Sequence, residues 1–207
     1  MRLIRVFWSA ILAGVSISLG GTVFLSVENK PLGAFLFAVG LFMICVQGWH
    51  LYTGKIGTLP GQRPSYLGEL IVIWLGNLAG ACGLGGLLLL TRLDGLREKA
   101  AALCAVKLSD HALSVLLLSF CCGFLVQAAV WIYRSAKNPA AAIAGVFLPI
   151  MVFILCGFEH CVANMFYFTV GGAWSGHALV WMLLMTLGNS LGGLLVPFMA
   201  KLLKAEQ

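Results

Sequence analysis

The stretch Gly157-Phe158-Glu159-His160-Cys161-Val162-Ala163-Asn164-Met165-Phe166 sets a carboxylate, an imidazole and a carboxamide inside an otherwise apolar tract. Before it, residues 138–158 carry no charge over 21 positions, and after Glu159-His160 residues 161–200 carry none over 40. A helix rises 1.5 Å per residue and crosses the hydrocarbon core in about 20 residues. Forty residues are too many for one crossing and suit half a helix, a short loop and a full span. Glycine followed by polar groups at membrane depth marks a broken helix, because non-helical backbone survives there only when buried in protein or lining a wet cavity.

Working outward, four more charge-free runs of 22 residues lie at 6–27, 31–52, 70–91 and 112–133. Six crossings is the economical count. The first run exceeds a secretory h-region and shows no small-residue cleavage pattern, so it reads as span one. Composition agrees: 61% of the 207 residues are apolar, and 13 basic and 7 acidic residues make only 10% charged. A soluble domain carries roughly a quarter. The expected fold is an all-α polytopic membrane protein, a single transmembrane domain over residues 1–207. It has no material for a catalytic head, a nucleotide-binding domain or a DNA reader.

Six spans put both termini on one side, with Arg2, Arg5, Lys55, Arg63, Arg134, Lys137, Lys201 and Lys204 against Glu69 and Glu206. The other side has Lys30, Arg92, Arg97, Lys99 and Lys107 against Glu28, Asp94, Glu98 and Asp110. The balance is +6 against +1, with Glu159 left over. The positive-inside rule then places both termini in the cytoplasm, for a protein of the inner membrane. The net charge of +6 reports orientation rather than a nucleic-acid partner. The seven cysteines fall almost entirely inside apolar runs and read as small core residues. No disulfide framework, metal site or cofactor is expected.

Glycines repeat through the chain. Gly14 precedes Gly48 by 34 residues, and Gly123 precedes Gly157 by 34. Gly76-Asn77-Leu78-Ala79-Gly80 has a counterpart in Gly188-Asn189-Ser190-Leu191-Gly192. Three spans repeated after three spans run in opposite directions, so the pattern predicts inverted repeats over approximately residues 1–92 and 103–204. The second span ends in Gly48-Trp49-His50-Leu51-Tyr52-Thr53-Gly54, a second break at the place equivalent to the first. Paired breaks point to a pathway between them.

Glu159-His160 carries the chemistry. Ionisable groups within a span face the interior or a cavity by default, and Asn164 lies one turn beyond. Histidine can donate a proton or a hydrogen bond to a passing anion. Lys107, placed at the opening of the fourth span, admits two readings: an interfacial lysine with its stem in lipid, or a cation drawing anions into an outer vestibule. His50, His111 and His177 read as interfacial or helix-end residues, and Trp8, Trp49, Trp131, Trp174 and Trp181 as an aromatic belt.

The quoted stretch resembles the GFEHxxANMF signature of the formate/nitrite transporter family, in a short bacterial-type form. Leu51-Tyr52-Thr53 is similar to that family's Leu-Phe-Thr, and Ala129-Val130-Trp131 and Thr186-Leu187-Gly188-Asn189 to its fourth and sixth helices. The resemblance covers most of the chain. It implies pentameric channels for small monovalent anions, with an aquaporin-like protomer whose second and fifth helices are broken. It also implies that His160 is the central pore histidine with Thr53 close by, and that Lys107 lies in an outer vestibule. Phe37 and Phe153 would form constrictions around the histidine, and Leu51 and Tyr52 would lie at the pore. Where the family usually has an asparagine in the fourth span, this chain has Gly123, which implies a wider or wetter pore there.

The function expected is a passive or proton-coupled channel for formate, nitrite or hydrosulfide, in a homopentamer within the lipid bilayer, and not an enzyme. Glu159 and Asn164 are expected to hold the broken helix. The alternative is an aquaporin-like pore for small neutral solutes, although Asn138-Pro139-Ala140 occurs once where aquaporins have two such motifs. An intramembrane enzyme pairing His160 with Cys161 is disfavoured, since adjacent helical residues point about 100° apart.

Overall fold

The computed structural model describes residues 1–93 and 95–205. Asp94 and Glu206, both counted in the charge balance above, lie outside the described residues, as does the side chain of Lys204. Among the described residues the order is α1 (Arg2–Ser26), α2 (Lys30–Gln47), α3 (Tyr52–Lys55), a 3₁₀ turn (Ile56–Thr58), α4 (Tyr66–Leu88), α5 (Leu96–Leu108), α6 (Ala112–Ser135), α7 (Pro139–Leu155), α8 (Cys161–Val170) and α9 (Gly176–Ala205). Five of these, α1, α2, α4, α6 and α9, are long and apolar enough to cross a membrane. The chain is thus a multi-pass membrane protein, and its outward faces carry Trp8, Ile71, Leu183 and Phe198 well exposed.

Local chemistry sets the breaks. Asn29 and Asn138 each cap a helix, their Oδ1 accepting from Leu32 N at 2.9 Å and Ala141 N at 2.8 Å, with proline in the first turn where no N–H is needed. Gly48 (φ 69°) and Gly157 (φ 70°) close α2 and α7 in the left-handed region that glycine enters without a Cβ clash. The chain then turns back into the protein and starts again as α3 and α8. The 40 uncharged residues accordingly form α8, a short turn and α9.

Two crossings place these breaks. A Cβ on Gly14 or Gly80 would run into the backbone carbonyls of Asn77 or Ile11, so α1 and α4 meet backbone to backbone. A Cβ on Gly123 or Gly192 would meet those of Asn189 and Phe120 in the same way between α6 and α9. Small residues at the contact are what lets apolar helices approach this closely without a hydrophobic drive between them.

One element was unforeseen. The charge-free runs assign no element between residues 91 and 112, but α5 fills Leu96–Leu108, burying Leu96, Ala100, Cys104 and Lys107 along one stripe. Lys107 therefore ends α5 instead of opening α6. Beyond it, the Ser114 hydroxyl donates to Asp110 Oδ2 and the His111 N–H to Oδ1, which holds the Asp110 carboxyl below its ordinary range.

Candidate functional site

The breaks are held by two asparagines on the crossing helices. Asn77 of α4 accepts from Tyr52 N at 2.8 Å and donates to Ala10 O at 2.8 Å and His50 O at 2.9 Å. Asn189 of α9 accepts from Cys161 N at 2.8 Å and donates to Ser119 O at 2.8 Å and Glu159 O at 2.7 Å. Ala10, His50 and Tyr52 correspond to Ser119, Glu159 and Cys161 at one constant displacement along the chain. Each carboxamide satisfies an N–H and a carbonyl that the missing helical turn leaves without partners, and ties them to a carbonyl of a neighbouring helix, Ala10 O in α1 or Ser119 O in α6. In the paired Gly-Asn-x-x-Gly segments the glycines serve the helix crossings, and the asparagine is the residue that marks the bracket.

His160 and Leu51 occupy the same place in the two halves, immediately before α8 and α3. His160 Nδ1 accepts from Ala163 N at 3.1 Å and so caps α8. An acceptor nitrogen carries no proton, which leaves Nε2–H to donate to Thr53 Oγ1 at 2.9 Å. The imidazole is thus neutral and joins the starts of the two short helices. Phe153 stacks on it at 5.8 Å between centroids, and Phe37 meets Phe153 edge-on at 5.6 Å. Thr53, His160, Phe37, Phe153 and Leu51 are all buried.

A cavity of about 90 Å³ lies on one side of this cluster, lined by His160, Phe153, Lys107, Lys30, Asn164 and Tyr167 among others. A second, of about 80 Å³, lies towards the other end of α2, lined by Leu51, Ile44, Gly54, Lys55 and Arg134 among others. Cations therefore line both cavities, and the aromatic and aliphatic side chains of the cluster close the space between them.

Lys107 is neither an ordinary interfacial lysine nor a free cation. Its Nζ donates to Glu159 Oε2 at 2.6 Å, and both side chains are buried. Asn164 Nδ2 donates to the same oxygen at 2.7 Å. Glu159, the acid left over from the charge balance, is neutralised here.

Two other residues sit differently from expectation. Tyr52 points away from His160: its hydroxyl bonds Ser190 Oγ at 2.9 Å, and its ring lines a lateral groove with Trp74 and Leu183 between α4 and α9. Gly123 opens no space, because its missing side chain is filled by the backbone of Asn189, the residue that brackets the second break. His50 lies within the first break, its N–H and Nδ1 both bonded to Ser9 Oγ. All seven cysteines are free, and among the described residues no cluster of His, Cys, Asp and Glu could hold a metal ion.

The fold and this site define a polytopic membrane protein with two opposed cavities parted by a closed apolar partition. The family profile described as "Formate/nitrite transporter" matches residues 1–203, and the chain belongs to that family, whose members are channels and transporters rather than enzymes. Over 149 residues it is 34% identical to the uncharacterized transporter YrhG of Bacillus subtilis (strain 168), covering 67% of this chain. It spans little more than half of that relative's length (56%). To the nitrite transporter NirC of Escherichia coli (strain K12) it is 29% identical, over 90% of this chain and 79% of the relative. A solved pentameric formate channel with formate bound superposes with a TM-score of 0.88 at 25% identity, over 100% of this chain and 98% of the other.

Proposed function

We propose that the chain forms a homopentameric inner-membrane channel for small monovalent anions of the formate, nitrite or hydrosulfide class, passive or coupled to protons. The observation that carries this reading is the partition itself. Two cavities lined by cations are separated by Phe37, Phe153, Leu51 and the Thr53–His160 bond. Cations attract an anion to either mouth, while an apolar constriction charges a bare ion a large desolvation penalty. The two demands are reconciled if the anion takes up a proton in the outer cavity near Lys107 or His160, crosses as the neutral acid and ionises again beyond Leu51.

Family membership supports the substrate class, and the likeness to a pentameric formate channel supports the assembly. The constant displacement between the partners of Asn77 and those of Asn189 supports two inverted repeats, approximately residues 1–92 and 103–204. The charge balance supports cytoplasmic termini.

Uptake of labelled formate, nitrite and hydrosulfide into proteoliposomes tests the reading. Wild-type protein should carry at least one of them, and His160→Ala and Lys107→Ala should alter the rate or its pH dependence. Unaltered flux in both variants sinks the mechanism. Osmotic shrinkage with water or glycerol in place of anion uptake would indicate the neutral-solute pore instead.

A further inference from the structure

Two residues of α8 that line the outer cavity each carry a buried polar atom with no protein partner. Asn164 is 1% exposed and its Oδ1 is unbonded; Tyr167 is 4% exposed and its Oη is unbonded. Both residues line the same cavity as Lys107 and His160. Three residues apart on a helix, they are neighbours on one face. Leaving a buried polar group without a partner is unfavourable, so two together in one cavity wall favour a small polar guest that bonds both.

The orientation of each is fixed. Glu159 can only accept from the Asn164 amide, so the nitrogen faces the carboxylate at 2.7 Å and the oxygen is the free atom. The Tyr167 ring edge lies against α1 at Gly21, where a Cβ would stand 3.3 Å from Cε1. Two residues of the cavity wall therefore hold an amide oxygen that only accepts and a phenol that can donate, each without a protein partner.

Resting on the transport function proposed above, we infer that Asn164 Oδ1 and Tyr167 Oη form a recognition site for the neutral form of a small oxyacid. Such an acid carries an O–H donor and an acceptor oxygen on one central atom. Its O–H is given to Asn164 Oδ1, and its second oxygen accepts from Tyr167. A bare oxyanion has no donor for the amide oxygen and is repelled by it. Hydrogen sulfide, the corresponding neutral acid, offers the phenol only a weakly accepting sulfur. The pair thus selects carboxylic and nitrous acids over sulfur hydrides, while Lys30 on the same cavity, rather than the charge-neutral Lys107–Glu159 pair, supplies attraction without discrimination.

Tyr167→Phe removes the hydroxyl and keeps the ring. In proteoliposomes its half-saturating concentration for formate and for nitrite should rise about two- to tenfold, the worth of one hydrogen bond. That for hydrosulfide should stay within error of wild type. Unchanged values, or equal shifts for all three, overturn the inference and leave the channel reading standing. Where wild-type protein carries none of the anions, thermal unfolding of the detergent-solubilised protein decides. Protection by formate that weakens in Tyr167→Phe sustains the site while the transport reading falls. Equal or absent protection in the two proteins means that the cavity holds water only, and overturns it.

Discussion

Lys107 Nζ donates to Glu159 Oε2 at 2.6 Å, tying the last turn of α5 to the break before α8. Both side chains are buried, and Asn164 completes the shell around the carboxylate. Removing either partner strands a charge away from water, at a cost of about 3–5 kcal/mol. Lys107→Met and Glu159→Gln should therefore each lower the thermal midpoint of the detergent-solubilised protein markedly. The double variant should lose much less than the two losses combined, since neither charge is then stranded. A double-mutant cycle measures the coupling, and strict additivity would show that the pair contributes nothing.

The Thr53–His160 bond makes a second prediction. Valine matches threonine in shape but cannot accept from Nε2–H, which would then be buried and unsatisfied. The bond also fixes how the two short helices meet, so Thr53→Val should slow anion uptake about tenfold, equivalent to about 1.4 kcal/mol. Thr53→Ser keeps the acceptor and should retain most of the rate. Equal rates in the two variants would separate His160 orientation from flux.

Asn189 offers a sharper contrast. In Asn189→Asp the acceptor for Cys161 N–H survives, but a carboxylate oxygen replaces the nitrogen that donates to Ser119 O and Glu159 O. Oxygen then faces two carbonyl oxygens at bonding distance. Aspartate should accordingly be worse than alanine, which merely leaves the backbone groups unsatisfied at about 1–3 kcal/mol. The order in stability should be Asn, then Ala, then Asp, and Asn77 should follow the same order. Comparing unfolding midpoints and yields of folded oligomer checks it.

Much of this arrangement was legible in the residues. Uncharged runs and glycine punctuation marked the apolar helices and both breaks, because membrane depth forbids unpaired backbone and so writes strong local signals. The Lys107–Glu159 pair was not legible, since it depends on α5 packing its last turn against a break 52 residues further along the chain. That helix escaped notice because its apolar positions are small and its charged residues resemble a loop. Tyr52 follows the same logic: a residue beside a break points either way, and only its bond to Ser190 decides.

Gly123 shows how a local reading can invert. Taken alone, glycine where a larger side chain is expected suggests a wider pore around His160. In the fold the same position is a backbone-to-backbone contact of α6 with α9, and a Cβ there would strike the Asn189 backbone. Gly14 stands in the same relation to Asn77. Neither neighbour can swing aside, because each is helical backbone whose side chain brackets a break. Gly123→Ala should cost about 1–3 kcal/mol, as overpacking does, and Gly14→Ala should match it. Gly123→Asn should be worse, with little folded oligomer recovered. Were Gly123 instead open to a pore, alanine would be stable and would only narrow the path, so that flux fell while the unfolding midpoint held. Measuring both quantities on Gly123→Ala separates the two accounts, and the packing at Asn189 requires the midpoint to fall first.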